Sequence, residues 1–142
     1  MRIIITFLLS LFVSIVSISQ ENVTAASTSG TLTVSVTTTT YGGSYAPKNV
    51  VAIWVTNSSG TYVKTLAAYC ATRKSDLTTW ANNSAKDVTD AITGATRSSQ
   101  GLISNVKWDG TDKNKVLQAD GNYILKMEMT EGGNNKLVSY TF

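Results

Sequence analysis

The densest chemistry in the chain lies at Asp90-Ala91-Ile92-Thr93-Gly94-Ala95-Thr96, where one carboxylate and two hydroxyls are set among small residues. From residue types alone, Asp-x-x-Thr with Gly-Ala is a loop whose Asp90 side chain caps a turn. Other candidates are weaker. Asp109, Asp112 and Asp120, with Asn114 nearby, lack the spacing and terminal Glu of a calcium loop, so a structural turn is the better reading. Asp87 and Asp90 are carboxylates close in sequence, but hydrolysis needs a defined cleft between such a pair. Serine and threonine are plentiful, yet no lysine is placed to activate one, and histidine is absent from all 142 residues. That removes His-based triads, imidazole ligands and the usual general base. A chain with this inventory is not expected to be an enzyme, and no metal site is expected.

These residues need a scaffold, and the hydrophobic pattern supplies one made of strands. Leu32, Val34 and Val36 alternate with Thr31, Thr33 and Ser35, the two-residue period of a half-buried strand. From Asn49 to Thr56 both faces are apolar, which predicts a central, well-covered strand. Asn57-Ser58-Ser59-Gly60 is a tight turn, and Thr61 to Leu66 returns as a hairpin. Leu102 to Trp108 and Tyr123 to Met129 read as further strands. Gly132-Gly133-Asn134-Asn135 turns the chain into a last strand, Lys136 to Phe142, whose free edge can pair with another chain. Val116 and Leu117 are expected to pin the polar turn that follows Trp108.

Between Ala67 and Asp90 the pattern is less regular. Ala67 to Ala71 fits strand or helix. Ser75 to Trp80 looks like a helical turn capped by Ser75 or Asp76, interrupted at Asn82-Asn83-Ser84, with Leu77 and Trp80 packing it down. Six or seven strands with turn signals and no βαβ pattern predict an all-β fold. The expected architecture is an immunoglobulin-like antiparallel β-sandwich with one short helical or loop insertion. Its core would comprise Leu32, Val34, Val36, Ile53, Val55, Val63, Leu66, Val106, Trp108, Tyr123, Leu125 and Met127. With Cys70 as the sole cysteine there is no disulfide across it, and Cys70 itself fits either a buried or a reactive thiol.

The domain plan is residues 1–19 as signal peptide, 20–29 as a flexible leader and 30–142 as a single sandwich. Arg2 precedes an apolar run from Ile3 to Val16, and Ser17-Ile18-Ser19 places small residues before a cleavage at Gln20. Val23-Thr24-Ala25 is a second possible site. The run is short for an uncleaved membrane anchor. No cysteine follows it in the position that lipid anchoring requires. Without Arg2 the exported chain carries 11 basic and 9 acidic residues, too even a balance for a nucleic-acid partner. The expected location is the periplasm or the cell exterior.

Two resemblances add to this reading. Trp108-Asp109-Gly110 followed by Asp120-Gly121-Asn122-Tyr123 resembles the hairpin of the immunoglobulin-like domains of flagellar-hook-capping proteins, which marks a fold and not an activity. The wider pattern is similar to a periplasmic family, domain of unknown function 2271. The likeness rests on Tyr45 to Val55, Val63-Lys64-Thr65-Leu66, Arg73, Leu77, Trp80, Asp90 to Arg97, Trp108-Asp109-Gly110 and Gly121-Asn122-Tyr123. Members continue a little past the equivalent of Phe142, which implies a further edge strand. Within this pattern Asp90 to Thr96 resembles the Asp-x-x-Ser/Thr-Gly-Ala-Thr/Ser sequence on which periplasmic flavin transferases place FMN.

That resemblance implies a covalent FMN carrier in a periplasmic electron-transfer system. Thr96 would be the attachment point, and Asp90, Thr93, Gly94, Ala95 and Arg97 would complete the cofactor site. It implies a flavin transferase and membrane electron-transfer proteins as partners. An acceptor hydroxyl should sit on a reachable, mobile loop. Gly94 and Ala95 would leave the backbone bare for the transferase. Asp90 and Thr93 would hold the loop by side-chain-to-backbone bonds. Arg97 would meet the new phosphate with its planar fork, and Trp80 or Tyr45 would stack on the flavin ring. The alternative is a non-catalytic exported β-sandwich that serves binding or assembly.

Overall fold

The computed structural model describes residues 24–142. The expected signal peptide at 1–19 and the first four residues of the leader lie outside the described residues. Seven strands form two sheets around the predicted core. They are β1 (Leu32–Thr38), β2 (Val50–Asn57), β3 (Tyr62–Tyr69), β4 (Ile92–Gly94), β5 (Gly101–Trp108), β6 (Tyr123–Thr130) and β7 (Lys136–Thr141), with one helix, α1 (Thr78–Ser84). The small sheet is β1-β5 and the large one runs β4-β3-β2-β6-β7.

Continuous apolar sequence made β2 a central strand, and it is buried on both faces. Val51, Ile53 and Val55 join Val34, Ile103, Val106 and Trp108 between the sheets. Val50, Ala52 and Trp54 face the other way, against Leu77 and Trp80 of the insertion. The β2–β3 turn closes through Asn57, whose side-chain oxygen accepts the N–H groups of Ser59 and Thr61 at 3.1 and 2.9 Å. Gly60 supplies the positive φ of +87° that the turn requires. The Trp108 and Tyr123 rings lie 4.9 Å apart and anchor the ends of β5 and β6. Leu117 packs near Gly110, whereas Val116 is exposed, so only one of the two expected pins holds that turn. At the chain's entry the Asp120 carboxylate accepts the Thr28 N–H and hydroxyl at 2.7 and 2.8 Å.

Of the twelve expected core residues, seven are buried between the sheets and five pack there half-covered: Leu32, Val36, Tyr123, Leu125 and Met127. The cause is the unequal width of the layers. Two strands lie over five, so β6 is only half-covered along Leu125 and Met127, and Val138 and Tyr140 of β7 are exposed. β1 runs antiparallel to β7 across the resulting gap, with Leu32 at the Phe142 end and Thr37 to Tyr41 at the Lys136 end.

Two local expectations are corrected. The sheet is not wholly antiparallel, because β4 pairs parallel to β3. The 70–91 insertion carries the chain back alongside the last three residues of β3, Ala67 to Tyr69, and only such a long connection permits parallel pairing. The helix also differs. Neither Ser75 nor Asp76 caps it, since they belong to a single 3-10 turn, and α1 continues through Asn82, Asn83 and Ser84. The N–H groups of Thr79 and Trp80 instead donate to the buried Glu128 carboxylate at 3.1 and 2.7 Å. A cap from another strand satisfies the first turn as well as a local one does. It also explains why a carboxylate is tolerated inside β6.

Candidate functional site

The Asp90 segment lies along the outer edge of β3. Ile92, Thr93 and Gly94 form β4, in register with Ala67, Ala68 and Tyr69. The Gly94 carbonyl accepts the Ala71 N–H at 3.2 Å, and three residues later Arg97 bridges to Asn49 through N–H···O bonds of 2.8 and 3.0 Å. Only Ala95 and Thr96 lie between these two fixed points. The expected mobile loop is therefore a short edge strand followed by a pinned two-residue span. Ala95 is exposed and Thr96 half-buried.

Asp90 sits at φ +59° and faces Lys115, 3.6 Å away, across an exposed ion pair. Such pairs contribute little to stability. Thr93 is exposed. The side-chain-to-backbone bonds expected from Asp90 and Thr93 are not made among the described residues; backbone pairing to β3 holds the segment instead. Gly94 has a tertiary reason to be glycine. A Cβ there would stand 2.7 Å from the Tyr69 ring, closer than carbon atoms approach without a shift. Tyr69 is the aromatic residue nearest this segment that the sequence reading missed. It ends a strand, and nothing in its local pattern marks it.

Arg97 does not present its fork to solvent. One terminal nitrogen donates to the Thr38 hydroxyl at 2.9 Å and to the Asn49 side-chain oxygen at 3.4 Å, and the other to the Gly101 carbonyl at 3.3 Å. Trp80 is fully buried, its indole N–H donating to the Thr65 hydroxyl at 3.0 Å, so it cannot stack on a surface-borne ring. Tyr45 is half-exposed but lies under the Arg73 guanidinium, 4.5 Å from its ring centre. The structure thus keeps Asp90 to Thr96 together on one edge and draws Arg97 and Trp80 into the framework.

Beyond Arg97 the chain enters a buried polar cluster whose centre sequence reasoning also missed. The Glu131 carboxylate is fully buried. It accepts the Thr40 hydroxyl at 2.9 Å, the Tyr41 N–H at 3.0 Å, the Gly43 N–H at 3.3 Å and the Gln100 amide. Burial pushes its pKa up, but these donors outweigh burial and hold it below the ordinary glutamate range. Glu131 precedes Gly132-Gly133 and reads in sequence as a solvated turn residue.

Elsewhere, Asp87 pairs with Lys113 at 3.2 Å and Asp109 with Lys64 at 3.5 Å, so the acidic residues serve loop fastening. Among the described residues no three acidic, cysteine or histidine side chains gather as metal ligands. Cys70 is buried, and burial pushes its thiol up to about 11, which makes it a poor nucleophile.

The least satisfied surface of the molecule is apolar. A cavity of about 470 Å³ opens beside β1, with Leu125 and Met127 on its floor and Val138, Tyr140 and Phe142 along its far side. It continues past Met129 to Lys136. Val138 and Tyr140 are 59 % and 68 % exposed, although both point to the inner face of the large sheet.

Comparison with curated proteins and with solved structures returned no match. The sequence profile of one family, described as Predicted periplasmic protein (DUF2271), matches residues 31–142, which takes in every strand described above and agrees with the periplasmic or secreted location expected from the sequence. The chain belongs to that family of predicted periplasmic proteins.

Proposed function

We propose that this protein is a non-catalytic periplasmic β-sandwich that works by binding or assembly. The exposed inner-face side chains Val138 and Tyr140 of β7, beside the half-buried Leu125 and Met127 of β6, carry this reading. Apolar side chains placed on the core side of a sheet belong under another layer, and large exposed apolar patches mark interaction sites. The test is a photo-crosslinking residue at position 140, with Ser58 in the β2–β3 turn as the control site. A defined adduct at 140 and none at 58, in periplasm-expressed protein, is expected. A bare position 140 would remove the reading.

A second reading is supported by the Asp90 to Thr96 match and by the half-exposed position of Thr96 on the β3 edge. In it a periplasmic flavin transferase attaches FMN to Thr96, and the protein passes electrons to membrane partners. The bound flavin would supply the redox chemistry, while Asp90, Thr93, Gly94 and Ala95 would form the acceptor span. Co-expression with a flavin transferase should add one FMN by intact mass and in-gel fluorescence, and Thr96→Ala should abolish it. An unmodified wild-type chain, or an adduct that survives Thr96→Ala, removes this reading.

A further inference from the structure

We infer that the cleft between β3 and β5 binds a small organic carboxylate, held by the ammonium groups of Lys64 and Lys107. Two contacts frame the cleft along β3. β4 pairs with Ala67 to Tyr69, and the Lys113 N–H donates to the Val63 carbonyl at 3.2 Å. Between them Lys64, Thr65 and Leu66 line a cavity of about 390 Å³. Lys107 and Asp109 bound it from the end of β5, and Asp90 and Lys115 from the loops. Its volume falls in the range of small-molecule sites. β3 is irregular at this point. Its register with β2 shifts on both sides of Lys64 and Thr65, at Val63 and at Leu66. Bulges of this kind re-aim side chains and gather beside binding sites.

Lys64 is under-compensated where it stands. Its side chain is only 8 % exposed. A buried ammonium needs acceptors for three N–H donors. Among the described residues Lys64 has two, the Thr111 hydroxyl at 3.1 Å and one Asp109 oxygen at 3.5 Å. That carboxylate oxygen is a poor partner. It already accepts the Thr111 N–H and hydroxyl at 3.0 and 2.7 Å, and the Asp109 side chain is 59 % exposed. The third donor is left over beside the cavity that Lys64 lines. A ligand carboxylate supplies the missing acceptor through a charge-assisted bond. The charges around the cavity set the ligand's valence. Lys64, Lys107 and Lys115 border it against Asp90 and Asp109. Asp109 is matched to Lys64, and Asp90 to Lys115 at 3.6 Å. Lys107 makes no ion pair among the described residues. One unmatched positive charge suits a monoanion, and the two oxygens of a carboxylate can meet two ammonium groups. Leu66 and the lysine stems offer apolar wall to the rest of the molecule.

Propionate is the probe, titrated into isotope-labelled, periplasm-expressed protein in exchange for chloride at constant ionic strength. Propionamide is its uncharged counterpart. Propionate is expected to shift the amide resonances of Lys64 to Leu66 and Lys107 to Asp109 along a saturating curve, and propionamide to leave them in place. Lys64→Met should weaken binding roughly tenfold, and Lys107→Met about threefold. Lys48→Met, just before the far end of β2, should bind as wild type does. Lys107 is exposed, so Lys107→Met keeps the wild-type unfolding midpoint and decides the matter even should Lys64→Met fail to fold. Shifts that do not saturate, that propionamide reproduces, or that survive the lysine substitutions unchanged overturn the inference. None of the cleft residues belongs to the face of Val138 and Tyr140, so the crosslinking test at position 140 is answered separately.

Discussion

Glu131→Ala is expected to lower unfolding stability by roughly 3 kcal/mol, read from urea titration. The substitution removes the acceptor for the Tyr41 and Gly43 N–H groups, the Thr40 hydroxyl and the Gln100 amide at one stroke, at a side chain that is itself fully buried. Half-buried donors left without an acceptor cost more than the hydrogen bonds contributed. Glu131→Gln keeps the shape and loses the charge, so its cost should be about half as large. The same residue sets a pH dependence. Its folded pKa lies below the ordinary value of 4.5. Its contribution is therefore complete above that value and is lost as pH falls through the lower folded value. Wild type should lose stability as the solution is acidified below about pH 4.5, and Glu131→Gln should lose less over that window. Parallel pH profiles for the two proteins would show that the carboxylate is not the group responsible.

The second large effect is expected at Trp80. Trp80→Ala should cost about 3–5 kcal/mol, the range for removing a buried aromatic side chain that its surroundings cannot refill. Trp80 is fully buried against β2 and β3, and its indole also satisfies Thr65. Its removal strips the insertion of its main anchor. Hydrogen exchange should then accelerate first at Ala71, whose N–H holds Gly94, and in α1, before the β2–β3 pair is affected. Uniform acceleration through β2 and β3 would mean that the insertion and the sandwich unfold as one unit. For the flavin reading the distinction matters, because release of β4 alone would make Thr96 more accessible to a transferase.

What could be read from the sequence follows from which interactions are local. The alternation of Leu32, Val34 and Val36, the apolar run at 50–55 and the Asn57 to Gly60 turn each carry their instruction within a few residues. Strand period, burial and turn geometry act at that range. The all-β class, the hairpins and the inward set of core residues followed directly. The Asp90 segment was also conspicuous, because a run of small polar residues between apolar stretches is visible without any partner.

Its setting was not visible. Gly94 is needed for the Tyr69 ring from the far end of β3, and Arg97 is held by Thr38 and Asn49 from elements more than 45 residues away. Glu128 and Glu131 look like ordinary surface glutamates in a strand and a turn. Only folding brings the N-terminus of α1 to the first and the 40–43 loop to the second.

Sequence alone determined the strands and their facing residues, because those depend on side-chain period and composition. Tertiary structure decided which strands lie side by side, and hence that five would face two. No residue encodes that mismatch locally. It arises from how the sheets meet, and it is what leaves Val138 and Tyr140 exposed on the inner face of β7.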